Sequence, residues 1–259
     1  MKQQLVKIEE VIELVKQTKH FVFNQEMAGH VTVKGAADYV TQVDFCIQNF
    51  LKEKLYELAP EIQFLGEESG LQEMTGESFW ILDPIDGTTN LIHGYLHSVV
   101  SLALCHKGEV VMGVIYDPYR EEVFSAEKGR GSFLNGQPVH VSGAEHLDET
   151  IIGIGTSPYQ KWFAKDNFVR FQRVFEAAQD IRRTGSAAME LAYIACGRQG
   201  GYFEICLQPW DYAAGVVLVQ EAGGIVTDFE GNPLKPGKAS SVIASNGRIH
   251  EELPDVCFF

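Results

Sequence analysis

Between Ser98 and Ser142 the sequence alternates short apolar runs with turn-forming residues, a pattern that confines this stretch to antiparallel strands. Apolar runs such as SVVSLAL and EVVMGVIY are broken at KGE, DPYR, KGRG and NG. Runs of this length, bounded by Gly, Pro and Asn, are typical of strands joined by hairpins. The stretch therefore predicts a β-meander.

After about residue 145, strand and helix patterns alternate instead. Strand-like runs occur at IIGIGT, IRRT, GYFEI, GIVTDF and SVIAS, and helical patterns run from Trp162 to Ala178, from Ala187 and from Asp211. Such alternation predicts α/β layering. We expect an α+β N-terminal half with an antiparallel sheet, residues 1–145, and an α/β C-terminal half, residues 146–259, packed into one rigid body with a cleft at the seam.

Two amphipathic helices are predicted ahead of the meander. Leu5, Ile8, Ile12 and Val15 recur at three- and four-residue steps, and the same spacing continues through residues 43–58. Between these helices, VTVKGAADYVTQVD predicts a loop or a short hairpin. Asp44 lies near the entry to the second helix, where an ordinary helix cap is an alternative to a functional role.

Charge and cysteine usage argue against several classes of partner and location. The formal net charge of −14 repels nucleic acids and acidic membrane surfaces, which proteins engage through clustered Lys and Arg. No segment approaches the roughly 18 apolar residues of a membrane span. The five cysteines are scattered without a CxxC pair, which favours reduced thiols. We therefore expect a cytoplasmic protein without direct nucleic-acid or membrane contact.

The apolar run FWIL leads directly into two aspartates, Asp83 and Asp86, separated by a proline that bends the chain. Gly87 and Thr88 then open a helix, whose free amides and dipole attract phosphate. Two carboxylates held close in a half-buried site call for a divalent cation, and oxygen ligands suit Mg²⁺. The alternative is a turn at Asp83 and a helix cap at Asp86.

Two further acidic motifs lie on either side of this one in the chain. FLGEESG places Glu67 and Glu68 at a strand end, and PWDYAAG places Asp211 in the first turn of an apolar helix. A solvated acidic turn and a helix cap are the respective structural alternatives. The small residues after Asp211 let that helix pack closely, which would hold the carboxylate rigidly over a cleft.

GEES, WILDPIDGTTN and PWDYAAG, in this order and at these intervals, resemble the inositol monophosphatase family of Mg²⁺-dependent, lithium-sensitive sugar phosphatases. The likeness extends over nearly the whole chain. It implies a layered αβαβα sandwich, a homodimer, and an acidic cleft that binds two or three Mg²⁺ ions and hydrolyses small phosphate monoesters such as inositol 1-phosphate. Leu91 departs from the aromatic residue often found after DGTTN in the family, which affects packing rather than chemistry.

The resemblance also implies metal ligands. The first metal would be held by Glu67, Asp83 and the Ile85 carbonyl, and the second by Asp83, Asp86 and Asp211. Glu68 would lie behind the ligands or in solvent. Thr88 and Asp44 would orient the attacking water, with Glu67 touching the same water.

Substrate contacts follow in the same way. Glu204, seven residues before Asp211, would accept hydrogen bonds from sugar hydroxyls, the alternative being an exposed acid at a strand end. Strand alternation sends one of Arg182 and Arg183 toward the cleft, and we favour Arg182. The full predicted substrate-binding set is Asp86, Gly87, Thr88, Arg182, Gly185, Ser186, Ala187, Glu204 and Asp211.

Other functions remain open at this stage. Fructose 1,6-bisphosphate, NADP and phosphoadenosine phosphate are substrates of relatives with the same chemistry. A regulatory binding partner with vestigial activity is the alternative from another class. The sequence has no GxxxxGK[ST], complete GxGxxG or GxSxG motif. ATP-driven phosphoryl transfer, dinucleotide-dependent redox chemistry and α/β-hydrolase chemistry therefore lack their usual sequence support.

Overall fold

The computed structural model describes residues 6–35 and 38–258, so Leu5 of the first predicted helix lies outside the described residues. The helices are α1 Ile8–Lys16, α2 Lys19–Val22, α3 Gln25–Gly29, α4 Gln42–Leu58, α5 Thr88–Ile92, α6 Ala164–Ala177, α7 Ala187–Ala195, α8 Pro209–Glu221 and α9 Glu252–Phe258. Short 3₁₀ segments cover Glu67–Ser69, Leu147–Glu149 and Lys161–Phe163.

The strands form three sheets. They are β1 Val31–Gly35, β2 Asp38–Thr41, β3 Gln63–Gly66, β4 Ser78–Asp86, β5 Val99–His106, β6 Glu109–Asp117, β7 Glu122–Glu127, β8 Gly131–Leu134, β9 Gln137–Val139, β10 Ile151–Ile154, β11 Asp180–Arg182, β12 Gly201–Leu207, β13 Ile225–Thr227 and β14 Ser240–Ser245. β1 and β2 pair antiparallel, which confirms the short hairpin predicted between the first helices.

The largest sheet has the strand order β3-β4-β5-β6-β7-β8-β9. From β4 to β9 each pair is antiparallel, which confirms the predicted meander, and β3 joins its edge parallel to β4. The second sheet has the order β11-β10-β12-β14-β13 and mixes parallel and antiparallel pairs.

Successive residues of β4 show why both faces of the large sheet are covered. Phe79 and Ile81 pack in a cluster that contains α7, α8 and side chains of the second sheet. Trp80 and Leu82 point the other way and pack against the cluster formed by α1 and α4, because side chains alternate along a strand. A strand buried on both faces is apolar throughout, as FWIL is.

These clusters produce five layers. α1 and α4 cover the outer face of the large sheet, α7 and α8 lie between the sheets, and α6 and α9 pack outside the second sheet. The predicted αβαβα sandwich is therefore confirmed. Small residues allow the central layers to approach closely, since a Cβ added at Gly215 of α8 would lie 2.3 Å from Leu191 Cδ1 of α7. Leu91 is buried in the cluster under α4.

The predicted boundary between residues 145 and 146 falls in the connection between β9 and β10, and the division into two halves stays a prediction. All five cysteines are free thiols. Among residues 6–35 and 38–258, none of the helices combines the length and apolarity that crossing a bilayer requires.

Candidate active site

A cavity of about 480 Å³ opens where the ends of β4 and β12 meet the first turns of α7 and α8. Its wall contains residues from all three acidic motifs, although Asp211 lies more than a hundred positions after Glu67, Asp83 and Asp86 in the sequence. The acidic side chains that line it are Asp38, Glu67, Asp83, Asp86, Glu190, Glu204 and Asp211. The predicted ligands therefore converge on one cavity.

β4 carries two of these aspartates and continues further than predicted. The sequence placed a bend at Pro84, whereas the strand runs to Asp86 and pairs with β5 through a register shift between Asp83 and Asp86. Proline has no N–H to donate, so the ladder is interrupted there without ending the strand. Asp83 Oδ1 accepts the Ile85 amide at 2.9 Å, which fixes the backbone between the two carboxylates.

Glu67 and Asp83 lie close enough to perturb each other strongly. Burial raises the pKa of Glu67 to about 7, although nearby Lys34 and a hydrogen bond with Asp83 favour the charged form. Burial also raises the pKa of Asp83 well above its usual range, and the charges of Glu67, Asp86 and Asp211 raise it further. Four carboxylates thus share one low-dielectric pocket.

Asp86 is held by α7. Its Oδ2 accepts the Ser186 hydroxyl at 2.8 Å and the Ala188 amide at 2.6 Å. Burial nevertheless raises the pKa of Asp86 to about 7. Ser186 also caps α7 by accepting the Met189 amide, so its hydroxyl serves the helix and Asp86 rather than facing the cavity freely.

Asp211 combines the two roles that its sequence left open. It is the third residue of α8, where its Oδ2 accepts the Gln208 amide at 2.7 Å in a capping box. It also lines the cavity, and burial together with the charges of Asp86 and Glu67 raises its pKa well above the usual range.

The two carboxylate oxygens of Asp44 also have different partners. Oδ2 accepts the amide of Thr41 at 2.8 Å and its hydroxyl at 2.5 Å, which completes the capping box of α4. Oδ1 accepts the Thr88 hydroxyl at 3.1 Å. Thr88 Oγ1 also lies 3.0 Å from the Ile85 carbonyl oxygen. Asp44 is fully buried and stands behind Thr88 rather than in the cavity wall.

The chemistry of these donors fits magnesium. Glu67, Asp83, Asp86, Asp211 and the Ile85 carbonyl offer only oxygen, and their mutual repulsion would be relieved by a divalent cation. Within the described part of the chain, no group of three or more His, Cys, Asp and Glu side chains is placed so that it could hold a metal ion as it stands. All four carboxylates are engaged by protein donors: Lys34 lies 3.3 Å from Glu67, the Ile85 amide 2.9 Å from Asp83, the Ala188 amide 2.6 Å from Asp86 and the Gln208 amide 2.7 Å from Asp211.

Glu68 is neither solvent exposed nor directed into the cavity. Its side chain is 2% exposed and its carboxylate accepts a hydrogen bond from the Lys34 ammonium at 2.7 Å, so one lysine pairs with both glutamates of GEES and leaves one negative charge in excess. Gln48 of α4 anchors the same segment through the Glu68 amide at 3.0 Å.

Glu204 lies in the cavity wall and is buried, which contradicts an exposed strand-end acid. Its Oε1 accepts the Ser157 amide at 2.6 Å and the Ser157 hydroxyl at 3.0 Å, and its Oε2 accepts the Tyr202 hydroxyl at 2.5 Å. Burial raises the pKa of Glu204 despite these donors.

The orientation predicted for the two arginines was wrong. Arg182 ends β11, pairs with Asp180 and stays outside the cavity, whereas Arg183 lines it. β11 is an edge strand that stops at Arg182, so strand alternation no longer governs the next residue. Gly185, Ser186 and Ala187 all line the cavity as predicted, beside Gly87 and Thr88.

Several cavity residues escaped the sequence analysis. Ser157, Tyr159 and Glu190 line the cavity but belong to none of the motifs above, and Ser157 has a φ of +43°. Asn90 follows DGTT and bridges the His97 and Thr184 carbonyls at 2.7 and 2.9 Å, which ties α5 to the segment before α7.

Comparison with known proteins agrees with this arrangement. The inositol monophosphatase family model matches residues 2–256. An inositol-1-monophosphatase of Rhizobium meliloti is 40% identical over 227 residues, 87% of this chain and 85% of that protein. The Nus factor SuhB of Escherichia coli K12 is 42% identical over 219 residues, 83% of this chain and 81% of that protein.

A solved structure shows the same architecture. The crystal structure of the extragenic suppressor protein SuhB from Bartonella henselae superposes with a TM-score of 0.90 at 35% identity, covering 97% of this chain and 98% of that one. The family match spans nearly every residue that builds the layers and the cavity. This chain belongs to the inositol monophosphatase family.

Proposed function

We propose that this protein is a Mg²⁺-dependent phosphatase that hydrolyses a small polyol phosphate, such as inositol 1-phosphate, to the free alcohol and inorganic phosphate. The observation that carries the proposal is the meeting of Glu67, Asp83, Asp86 and Asp211 in one buried cavity. Burial raises the pKa of all four, and neighbouring carboxylates raise the pKa of Asp83 and Asp211 further, so gathering these charges destabilises the fold rather than stabilising it.

Magnesium, when bound, would supply a Lewis acid that polarises phosphoryl oxygens and makes water more acidic. Glu67, Asp83 and the Ile85 carbonyl would hold one ion, and Asp83, Asp86 and Asp211 a second. Two or three ions per site follow from the family resemblance. The protein's own contribution is to fix these oxygens on a strand end and two helix starts.

Thr88 and Asp44 position the attacking water. The Thr88 hydroxyl can donate its one hydrogen to Asp44 Oδ1 or to the Ile85 carbonyl, so its lone pairs are left to accept a hydrogen bond from water. Because Asp44 is locked by the capping box of α4, this direction of the hydrogen bond is preserved. Glu67, which also lines the cavity, would accept a second hydrogen bond from that water.

The phosphate itself is met by the beginning of α5. The first amides of a helix lack intrahelical partners, and here they belong to Gly87 and Thr88 in the cavity wall. Gly87 adopts a φ of +94°, a conformation that other residues rarely tolerate, and this turns the chain sharply between Asp86 and Thr88.

The direct test is phosphate release from inositol 1-phosphate with and without Mg²⁺. We expect hydrolysis only with the metal. Asp83→Asn should lower the activity by at least about a hundredfold, which is more than is usual for residues that only orient metal ligands. Asp148→Asn, at an exposed aspartate outside the cavity, is the matched control. Substantial turnover by Asp83→Asn at saturating Mg²⁺ would contradict the proposal. Inhibition by lithium stays a prediction from the resemblance.

The same machinery on fructose 1,6-bisphosphate, NADP or phosphoadenosine phosphate is the alternative. A kcat/KM panel at constant Mg²⁺ separates these substrates. Free thiols at all five cysteines support a cytoplasmic location. A homodimer is the assembly we expect, testable by light scattering.

A second candidate function is a role as a binding partner in transcription. It is favoured by the 42% identity to a relative named a Nus factor. A pull-down scored separately for protein and RNA, with Asp83→Asn alongside wild type, tests it. Capture that is independent of the active site would support this role, whereas the net charge of −14 leads us to expect no direct RNA contact.

A further inference from the structure

Tyr202 and Glu204 lie on the same side of β12 and both line the cavity. Side chains alternate along a strand, so Phe203 between them points the other way, into the cluster formed with α6 and α9. Tyr202 is 1% exposed and packs in the cluster between the two sheets. Its hydroxyl donates a hydrogen bond to Glu204 Oε2 at 2.5 Å. The two side chains therefore form one polar unit in the cavity wall.

The direction of this hydrogen bond follows from the burial of the tyrosine. Burial and the charge of Glu204 raise the pKa of Tyr202 well above its usual range, so the hydroxyl keeps its proton and acts as the donor. A phenol carries one hydrogen, and here Glu204 accepts it. The Tyr202 hydroxyl thus has no second hydrogen to offer a ligand.

Glu204 has few free acceptor positions. A carboxylate offers about four, two on each oxygen. Oε1 accepts the Ser157 amide at 2.6 Å and the Ser157 hydroxyl at 3.0 Å, so its positions are filled. On Oε2 the Tyr202 hydroxyl takes one position. About one acceptor position is therefore left for a ligand, and it belongs to Oε2.

The Glu204 carboxylate is also held against the backbone behind it. A Cβ added at Gly155 would lie 2.1 Å from Glu204 Oε2 and 2.2 Å from its Cδ, so the group rests directly on this glycine. The donors come from two chain segments, since Tyr202 belongs to β12 and Ser157 follows β10. Because both oxygens are bound and one side is closed, the remaining acceptor position has a fixed direction.

We propose that Tyr202 determines specificity: by occupying one position on Glu204 Oε2, it leaves one acceptor of fixed direction, which selects substrates by the configuration of a single hydroxyl. The inference rests on the proposed phosphatase function, with Glu204 accepting a substrate hydroxyl, and narrows its substrate class to one epimer among ring monophosphates. Tyr202 is a positioning residue, because it acts on the substrate through Glu204. Without its hydroxyl, Oε2 has a second free position, and hydroxyls of either configuration can bind.

The test compares ring monophosphates that differ in the configuration of one hydroxyl. The pairs are myo-inositol 1-phosphate with scyllo-inositol phosphate, and glucose 1-phosphate with galactose 1-phosphate. The measured quantity is the ratio of kcat/KM for the better member to that for the poorer member, at constant Mg²⁺. We expect a wild-type ratio of about ten or more in at least one pair, since a hydrogen bond to a charged acceptor contributes about that factor. In Tyr202→Phe this ratio should fall toward one.

Two further variants separate positioning from a general structural effect. Tyr212→Phe removes another buried tyrosine hydroxyl, which donates to backbone carbonyls outside the cavity, and it should keep the wild-type ratio. In a Glu204→Ala background, Tyr202→Phe should lower the ratio no further, because the carboxylate through which it acts is gone.

An active Tyr202→Phe enzyme that keeps the wild-type ratio in both pairs would overturn the role of Tyr202. Equal losses in Tyr202→Phe and Tyr212→Phe, or a further loss in the Glu204→Ala background, would overturn it as well. So would a wild-type ratio near one in both pairs. Failure of the wild type to hydrolyse any of the four compounds with Mg²⁺ would instead overturn the phosphatase proposal and this inference together.

Discussion

Asp44 and Thr88 are joined by a hydrogen bond of 3.1 Å between Oδ1 and Oγ1, across 44 positions of the sequence. The same aspartate caps α4 through its other oxygen. One side chain thus connects the stability of a core helix with the orientation of a hydroxyl at the cavity, and the two roles can be separated by substitution.

Thr88→Val should lower kcat about a hundredfold, the lower end of what positioned proton-transfer groups contribute. Valine preserves the shape of threonine but cannot accept a hydrogen bond from water. Thr88→Ser keeps the hydroxyl and should retain most activity. The measurement is kcat at saturating substrate and Mg²⁺. Near-wild-type turnover in Thr88→Val would remove this residue from the mechanism.

Thr41→Val should lower the free energy of unfolding by about 1 kcal/mol. The change removes the hydroxyl that accepts the Val43 amide and donates to Asp44, while the buried site keeps its volume. Urea unfolding measures the effect, with exposed Thr32→Val as a control expected within about 0.5 kcal/mol of wild type. Equal stability of both variants would mean that the capping box contributes little.

Gly155→Ala should destabilise the fold by about 1–3 kcal/mol, because overpacking forces neighbours to move. An added Cβ would lie 2.1 Å from Glu204 Oε2, so the carboxylate would be pushed from Ser157 and Tyr202. Gly143→Ala meets nothing within 4 Å and serves as the control. Urea unfolding reports stability, and a shift in substrate preference would report the displaced Glu204. A Gly155→Ala protein as stable as the control would contradict the packing.

The ion pair between Glu122 and Arg198 should make the stability of the fold depend on pH. Their paired hydrogen bonds, of which Nη1 to Oε2 is 2.6 Å, lower the pKa of Glu122. A lowered carboxylate pKa stabilises the fold above the unfolded value of 4.5, and this contribution disappears as the pH falls through the folded value. At neutral pH the free energy of unfolding of the wild type should exceed that of Glu122→Gln by about 1 kcal/mol or less.

Urea unfolding from about pH 7 to about pH 3 should show this difference shrinking toward zero on acidification. Glu145→Gln is the control. The Glu145 side chain is 69% exposed and pairs with Arg248, so this variant should have the same free energy of unfolding as the wild type at either pH. A Glu122 effect that grows as the pH falls would reverse the assigned sign.

The antiparallel meander, the α/β alternation and the acidic residues of the cavity could be predicted from sequence because local patterns encode them, whereas the αβαβα order and the proposed metal-binding role were implied by the family resemblance. Apolar alternation placed the meander, and carboxylates at the ends of apolar runs marked the ends of strands and the starts of helices. Asp44 and Asp211 show why helix caps and candidate functional acids could not be told apart, since Asp44 both caps α4 and accepts the Thr88 hydroxyl, and Asp211 both caps α8 and lines the cavity.

Other features depend on the tertiary fold. Strand alternation favoured Arg182, but β11 ends there, and the wall formed by Ser157 and Glu204 comes from chain segments that meet only after folding. The continuation of β4 past Pro84 depends on its partner β5, which local propensity does not contain.

The most direct measurement is anomalous diffraction from crystals grown with Mn²⁺, a hard cation that shares oxygen ligands with Mg²⁺. We expect peaks in the cavity within about 2.5 Å of carboxylate oxygens of Glu67, Asp83, Asp86 and Asp211, with Asp83 shared between two ions. Peaks should weaken in Asp83→Asn. Crystals of active enzyme without a cavity peak, or with peaks away from these four side chains, would contradict the account.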